Sequence, residues 1–183
     1  MSPKVKALLH PGTTSYDILD TARAYLLKKV YEKKFRPIVG EVIKKLIDIS
    51  EKLNHSEDEK VLLQVGRTHL QYTSPVPFAA TIAGYAARLA ERLTKCDEVF
   101  SELKGKVSGI VGTGASIEMV IGKGKQTKFE RKTLDKLNLK PDYTATQIVQ
   151  KELFADMGHS LTTLMHVLGD FANDMRILYS SDI

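Results

Sequence analysis

Apolar residues recur at spacings of three and four over three long stretches, and that period of about 3.6 residues predicts a mainly helical chain. The first stretch runs from Ile18 through Leu26, Val30, Phe35, Ile38, Val42, Leu46 and Ile49 to Leu53 and Asn54. If it is one helix from Ser15 to Leu53 it measures ~58 Å at 1.5 Å per residue, with Pro37 as the expected kink. A second helix is predicted over Phe78 to Leu103, rich in small residues around Ala79–Ala90 and with Cys96 as a small core residue. A third starts near Thr146 and carries Leu153, Met157, Leu161, Leu164, Leu168, Phe171, Met175 and Leu178. Between Lys128 and Leu139 a short amphipathic helix is expected, closed by Asn138 and Pro141. The fold class is therefore all-α, a long-helix bundle, and rods of this length belong to bundles, often intersubunit ones.

Breaks in the pattern locate the chemistry. Val65-Gly66-Arg67-Thr68-His69-Leu70-Gln71, closed by Ser74-Pro75-Val76-Pro77, stops the helical period. Gly66 permits a tight or left-handed backbone and the prolines forbid continued helix, so Thr68 and His69 are expected on a loop between helices. His69 then reads either as a buried hydrogen-bonded histidine or as an acid–base group, since imidazole titrates near neutrality. A second break, His10-Pro11-Gly12-Thr13-Thr14-Ser15-Tyr16-Asp17, offers Thr14 or Ser15 as N-cap with Asp17 in the first turn. It reads as a plain cap or as an anion site at a helix N-terminus. The glycines at 105, 109, 112 and 114 mark either a flexible connector or a loop that brings backbone amides against an anion, without P-loop or dinucleotide spacing. Gly122-Lys123-Gly124-Lys125 reads as an exposed basic turn, His55 as solvated, and His159 and His166 as structural.

Composition narrows the class. The chain has 183 residues, 43% hydrophobic and 27% charged, enough for an ordinary domain without metals or disulfides. No run approaches the roughly 20 apolar residues of a membrane span. The segment Met1–Leu9 is too short in apolar residues for a secretion signal, and the lone Cys96 fits a reducing compartment, so a cytoplasmic location is expected. The net charge of +5 and pI near 9.2 could suit nucleic acid. The lysines interleave with acids on helix faces and no nucleic-acid-binding motif is present, which argues against nucleic acid and leaves an anionic small-molecule partner or simply a lysine-rich, soluble surface. Neither a metal nor a cofactor is expected.

Three stretches together resemble the aspartase/fumarase superfamily of lyases, most closely its adenylosuccinate lyase branch. They are His10–Asp17 with Asp20-Thr21-Ala22, Gly66–Gln71 with Pro75, and Ser108-Gly109-Ile110-Val111-Gly112-Thr113. A fourth, Thr146-Gln147-Ile148-Val149-Gln150-Lys151-Glu152, resembles that branch's Thr-Gln element with Lys151 in place of arginine. The resemblance implies long central helices assembled into a homotetramer with each active site built from three chains. It implies C–N elimination that releases fumarate. His69 matches the family's general acid and His10 a second active-site histidine, while Thr68, Thr14, Ser15, Gln147 and, less faithfully, Lys151 match substrate binders. The family's serine loop, which supplies the base, has no counterpart in this sequence. The chain is thus expected to be the central segment, residues 1–183, of a longer lyase and inactive by itself. A non-catalytic helical oligomerisation module and a cycloisomerase-like relative are the alternatives.

Overall fold

The computed structural model describes residues 10–54 and 61–180, so the readings of Met1–Leu9 and His55 fall outside the described residues. Helical conformation is unbroken from Ser15 to Asn54, in three parts: α1 (Ser15–Val30), a π-helical turn (Tyr31–Phe35) and α2 (Arg36–Asn54). Pro37 has no N–H to give to the carbonyl four residues back, and the π-turn, which changes the hydrogen-bond register, ends just before it. There follow β1 (Leu63–Thr68), β2 (Gln71–Pro77), α3 (Phe78–Ser101), β3 (Lys104–Gly105), α4 (Ala115–Ile121), α5 (Gln126–Asp135), β4 (Lys140–Pro141) and α6 (Glu152–Leu178). Helices dominate, as the pattern predicts.

Two elements depart from the expectation. The short helix starts at Gln126 rather than Lys128 and ends at Asp135, after which Asn138 adopts a left-handed conformation at φ 54° and turns the chain into β4. The third long helix starts at Glu152, not near Thr146. Backbone N–H groups of the intervening segment are held by carboxylates from elsewhere: Val149 donates to Asp20 at 3.0 Å and Gln150 to Asp142 at 3.0 Å. A helix there would have to give those bonds up.

The chain divides into two compact units, and the cuts fall within helices. The first comprises Met1–Glu32 with Glu98–Gly158. In it β3 and β4 pair in parallel, and Gly105 lies so close to its neighbours that a Cβ would stand 2.7 Å from Leu134 and 3.0 Å from the Thr21 hydroxyl. The Thr21 hydroxyl donates to the Lys106 carbonyl at 2.9 Å and accepts its N–H at 3.0 Å, pinning the strand to α1. Leu103, Leu134, Leu139 and Val149 form the apolar core.

Helix α1 is inverted relative to an ordinary amphipathic helix. Its buried positions are Asp17, Asp20, Thr21, Ala24 and Lys28, while Ile18, Leu19, Leu26 and Val30 are exposed. The buried side is made tolerable by hydrogen bonds, among them Lys28 to the Asn138 carbonyl at 2.7 Å. The outward side is an apolar stripe.

The second unit comprises Lys33–Asp97 with His159–Ile183. Its core is drawn from α2, α3 and α6 through Val39, Leu46, Ile82, Leu89, Leu164 and Val167, with Cys96 fully buried among them as expected. Polar ties run along the helices: Arg36 to Asp97 at 2.8 Å, Arg88 to Asp170 at 2.6 Å, and the Tyr85 hydroxyl to the Asp174 carboxylate.

Candidate active site

Thr68 and His69 do not stand on an irregular loop. They close a β-hairpin in which Thr68 pairs with Gln71, Arg67 with Tyr72 and Val65 with Pro75. His69 and Leu70 form the two-residue turn, both left-handed at φ 54° and 61°, the geometry whose twist suits a tight hairpin. Gly66 is not among the left-handed glycines and serves instead the tight backbone that was its other expected use. Thr73 and Ser74 oppose it across a register irregularity, and a Cβ there would meet the Ser74 carbonyl at 2.6 Å. The prolines sit on the open edge of this two-stranded pair and α3 starts directly after Pro77.

The hairpin thus presents His69 on an exposed tip, closed by the Thr68–Gln71 pair, rather than burying it. It is tied to α3 by Phe78 N–H to the Leu62 carbonyl at 2.9 Å and by the Gln64 amide to the Thr81 hydroxyl. His69 borders an open hollow of about 520 Å³ shared with Gln64, Arg67, Val76, Asp174 and Ile177. Asp174, which lines it, accepts the hydroxyl of buried Tyr85, whose phenol pKa is pushed up to about 12, burial being the largest cause and the Asp174 hydrogen bond the next. The Arg88 guanidinium holds the Asp170 carboxyl below its ordinary range. His166 lies 3.7 Å from Asp170 with its side chain 75% exposed, and His159 is exposed too, so both stand on the solvent side of their helix.

The other residues of interest lie in the first unit. Thr14 is the N-cap of α1, with Ser15 exposed as its first residue and His10 exposed in the preceding turn. An anion does occupy this helix end, but it belongs to the chain. The Asp17 carboxylate accepts the N–H groups of Thr14 at 2.8 Å, Ser108 at 3.1 Å and Gly109 at 3.1 Å. It also pairs with the Lys106 ammonium, whose side chain is 0% exposed and which donates further to the Gly109 carbonyl at 2.9 Å. The glycine-rich loop is therefore a packed cradle around Asp17, not a flexible connector. A Cβ on Gly112 would stand 2.0 Å from the Ala145 carbonyl, which shows how closely the loop abuts the Thr146–Lys151 segment.

That segment reaches back to α1. The Gln147 amide donates to the Thr14 hydroxyl at 3.2 Å, and its own carbonyl oxygen is buried without a partner among the described residues. Lys151 donates to Asp20 at 2.8 Å, with Asp20 fully buried and Lys151 half-exposed. Thr14, Ser15, Gln147 and Lys151 are thus brought together, Thr68 and His69 are brought together, and the two sets belong to different units.

Sequence reasoning missed the supports: Asp17 as a cradle anion, Lys106, Asp20 and Asp142. One signal was present. Asp17, Asp20, Thr21 and Lys28 fall on one helical face at spacings of three, four and seven, an unusual concentration of polar groups that points inward only if partners await them.

Comparison with known proteins agrees with this architecture. A family model described as lyase matches residues 1–183, and the chain belongs to that family, the aspartase/fumarase superfamily of lyases. Within it the chain falls in the adenylosuccinate lyase branch. It is 30% identical over 176 residues to adenylosuccinate lyase of Synechocystis sp., covering 96% of this chain and 37% of that protein. It is 31% identical over 176 residues to adenylosuccinate lyase of Pyrococcus horikoshii, covering 96% and 36%. The chain therefore spans little more than a third of the length of these curated relatives. In fold it is similar to fumarate lyase from Mesorhizobium sp. BNC1, with a TM-score of 0.80 at 23% identity over 96% of this chain and 38% of the other. It is similar also to 3-carboxy-cis,cis-muconate lactonizing enzyme from Pseudomonas putida, at TM-score 0.79 and 22% identity over 98% and 38%. Among the described residues no helix is long and apolar enough to cross a membrane.

Proposed function

We propose that this chain is the central segment of a cytoplasmic C–N lyase that eliminates fumarate from a succinyl-amine, adenylosuccinate being the favoured substrate. The observation that carries the reading is the built turn itself: the Thr14 cap, the Gln147 amide and the Lys151 ammonium gathered on α1. In the proposed reaction a base removes the proton from the carbon beside a carboxylate, the C–N electron pair leaves with nitrogen, and a C=C bond forms between the two carbons. His69 donates the proton to the departing nitrogen. An exposed imidazole on a rigid hairpin tip suits that task, because a general acid acts best with a pKa near the working pH and a fixed position. Thr14, Ser15, Thr68, Gln147 and Lys151 bind and orient the substrate's anionic and polar groups, with His10 beside them. Hydroxyls, amides and the ammonium stabilise charge that grows on the carboxylate as the proton leaves.

The two sets of residues meet between copies of the chain in a homotetramer. Support comes from the outward apolar stripe of α1 and from exposed Ile38, Ile47 and Ile49 on α2, surface that a lone copy would leave in water. The base is supplied by a serine outside the elements described. Fumarate release by the full-length protein tests the reading: adenylosuccinate should be cleaved in preference to argininosuccinate and aspartate, and failure to cleave any succinyl-amine would refute it.

A further inference from the structure

Lys151 is held far more firmly than a surface lysine needs. Its ammonium donates to Asp20 Oδ2 at 2.8 Å and stands 5.3 Å from the centre of the Phe154 ring, so it is fixed on one side by a carboxylate and on another by an aromatic face. Asp20 itself is 0% exposed and its same oxygen accepts the Val149 N–H at 3.0 Å, while its other oxygen takes Arg23 at 3.3 Å. Asp142, also buried, holds the Gln150 N–H between them. The backbone leading into the lysine is therefore held at two successive N–H groups by carboxylates of its own unit. The lysine side chain nonetheless remains 48% exposed, at the edge of an open hollow of about 520 Å³ that Thr144, Thr146 and Gln150 also line. Among the described residues that line this hollow, Lys151 is the cation and the exposed Glu152 the anion.

A lysine presents three N–H donors. With one spent on Asp20, two are available to a ligand oxygen in a direction the protein has fixed. We propose that Asp20 is a positioning residue for carboxylate binding: it does not touch the ligand, but it anchors Lys151 so that the ammonium meets one substrate carboxylate without having to be ordered on binding. Immobilising a free lysine side chain costs entropy, and a preformed ammonium has lost that freedom already. The inference deepens the lyase reading, since it assigns how one of its binding residues is made competent, and it concerns binding alone.

The test reads Lys151 directly. The chain is treated with an acetylating reagent across a range of succinate concentrations, a dicarboxylate standing in for the substrate's succinyl group, and acetylation of each lysine is followed by peptide mass spectrometry. Succinate should protect Lys151 saturably and leave exposed Lys123 unaffected. In Asp20→Asn the Val149 N–H keeps an acceptor while the ion pair is lost, so the half-protecting succinate concentration should rise by about tenfold or more. Phe154→Leu, which removes the ring and leaves every carboxylate in place, should raise it in the same direction and serves where Asp20→Asn folds poorly by circular dichroism. Unchanged half-protection in both variants, or no protection of Lys151 in the unaltered chain, would overturn the proposal. Binding without turnover would leave it standing and count against the lyase reading alone.

Discussion

Lys106 is completely buried, and among the described residues its ammonium is compensated by Asp17 and the Gly109 carbonyl. Removing one member of such a pair leaves the other uncompensated, so Lys106→Ala should destabilise the chain by about 3–5 kcal/mol in urea unfolding. Lys106→Ala combined with Asp17→Asn should recover part of that loss. At Leu70 the strain is conformational: its φ of 61° is costly for a branched side chain that is 70% exposed. Leu70→Gly should raise stability by about 0.5–1 kcal/mol, and a loss instead would show that the leucine side chain is held by contacts in an assembly. These features are also where the sequence was least legible. His-Leu is not a pair that advertises a two-residue hairpin turn, unlike Asn-Gly, and so the hairpin was read as a loop. The burial of Lys106 is equally hidden, because nothing local distinguishes a lysine whose partner lies 89 positions away in sequence.

At the scale of elements, the three long helices were readable because their periodicity is local, and α3 and Cys96 came out as expected. The start of α6 was not, since carboxylates on α1 and at Asp142 compete for the preceding backbone donors, a tertiary effect that outweighs propensity. The polar inner face of α1 was likewise hidden by the apolar residues on its other side. Between α3 and α6, the Tyr85 to Asp174 bond makes a pH prediction. The phenol is raised from its ordinary value to about 12, so in the folded chain it stays protonated where the unfolded chain has lost its proton. Its contribution is complete below pH 10 and should fade as pH rises from about 10 to about 12. Tyr85→Phe should be less stable than the parent at neutral pH and should lose less stability across that window. Equal slopes for the two proteins in alkaline unfolding would show that the bond is not formed in solution.

For the whole molecule, the proposed elimination brings together residues of more than one copy of the chain. The apolar outer stripe of α1 and the exposed isoleucines of α2 lead us to expect a tetramer in light scattering at micromolar concentration, and a monodisperse monomer would contradict it. The chain alone should show helical circular dichroism yet no elimination of adenylosuccinate, because none of its matched elements supplies the base. Robust turnover would mean that a residue already present, with His10 foremost, removes the proton. The central claim is that His69 on its hairpin tip is the general acid of a C–N elimination. It is tested most directly by kcat for adenylosuccinate in the full-length enzyme carrying His69→Ala, measured beside the unaltered protein. A positioned acid is worth roughly 10²–10⁴ in rate, so kcat should fall by that factor while the fold is retained. A variant that keeps nearly full kcat would contradict the account and leave His69 as a turn residue only.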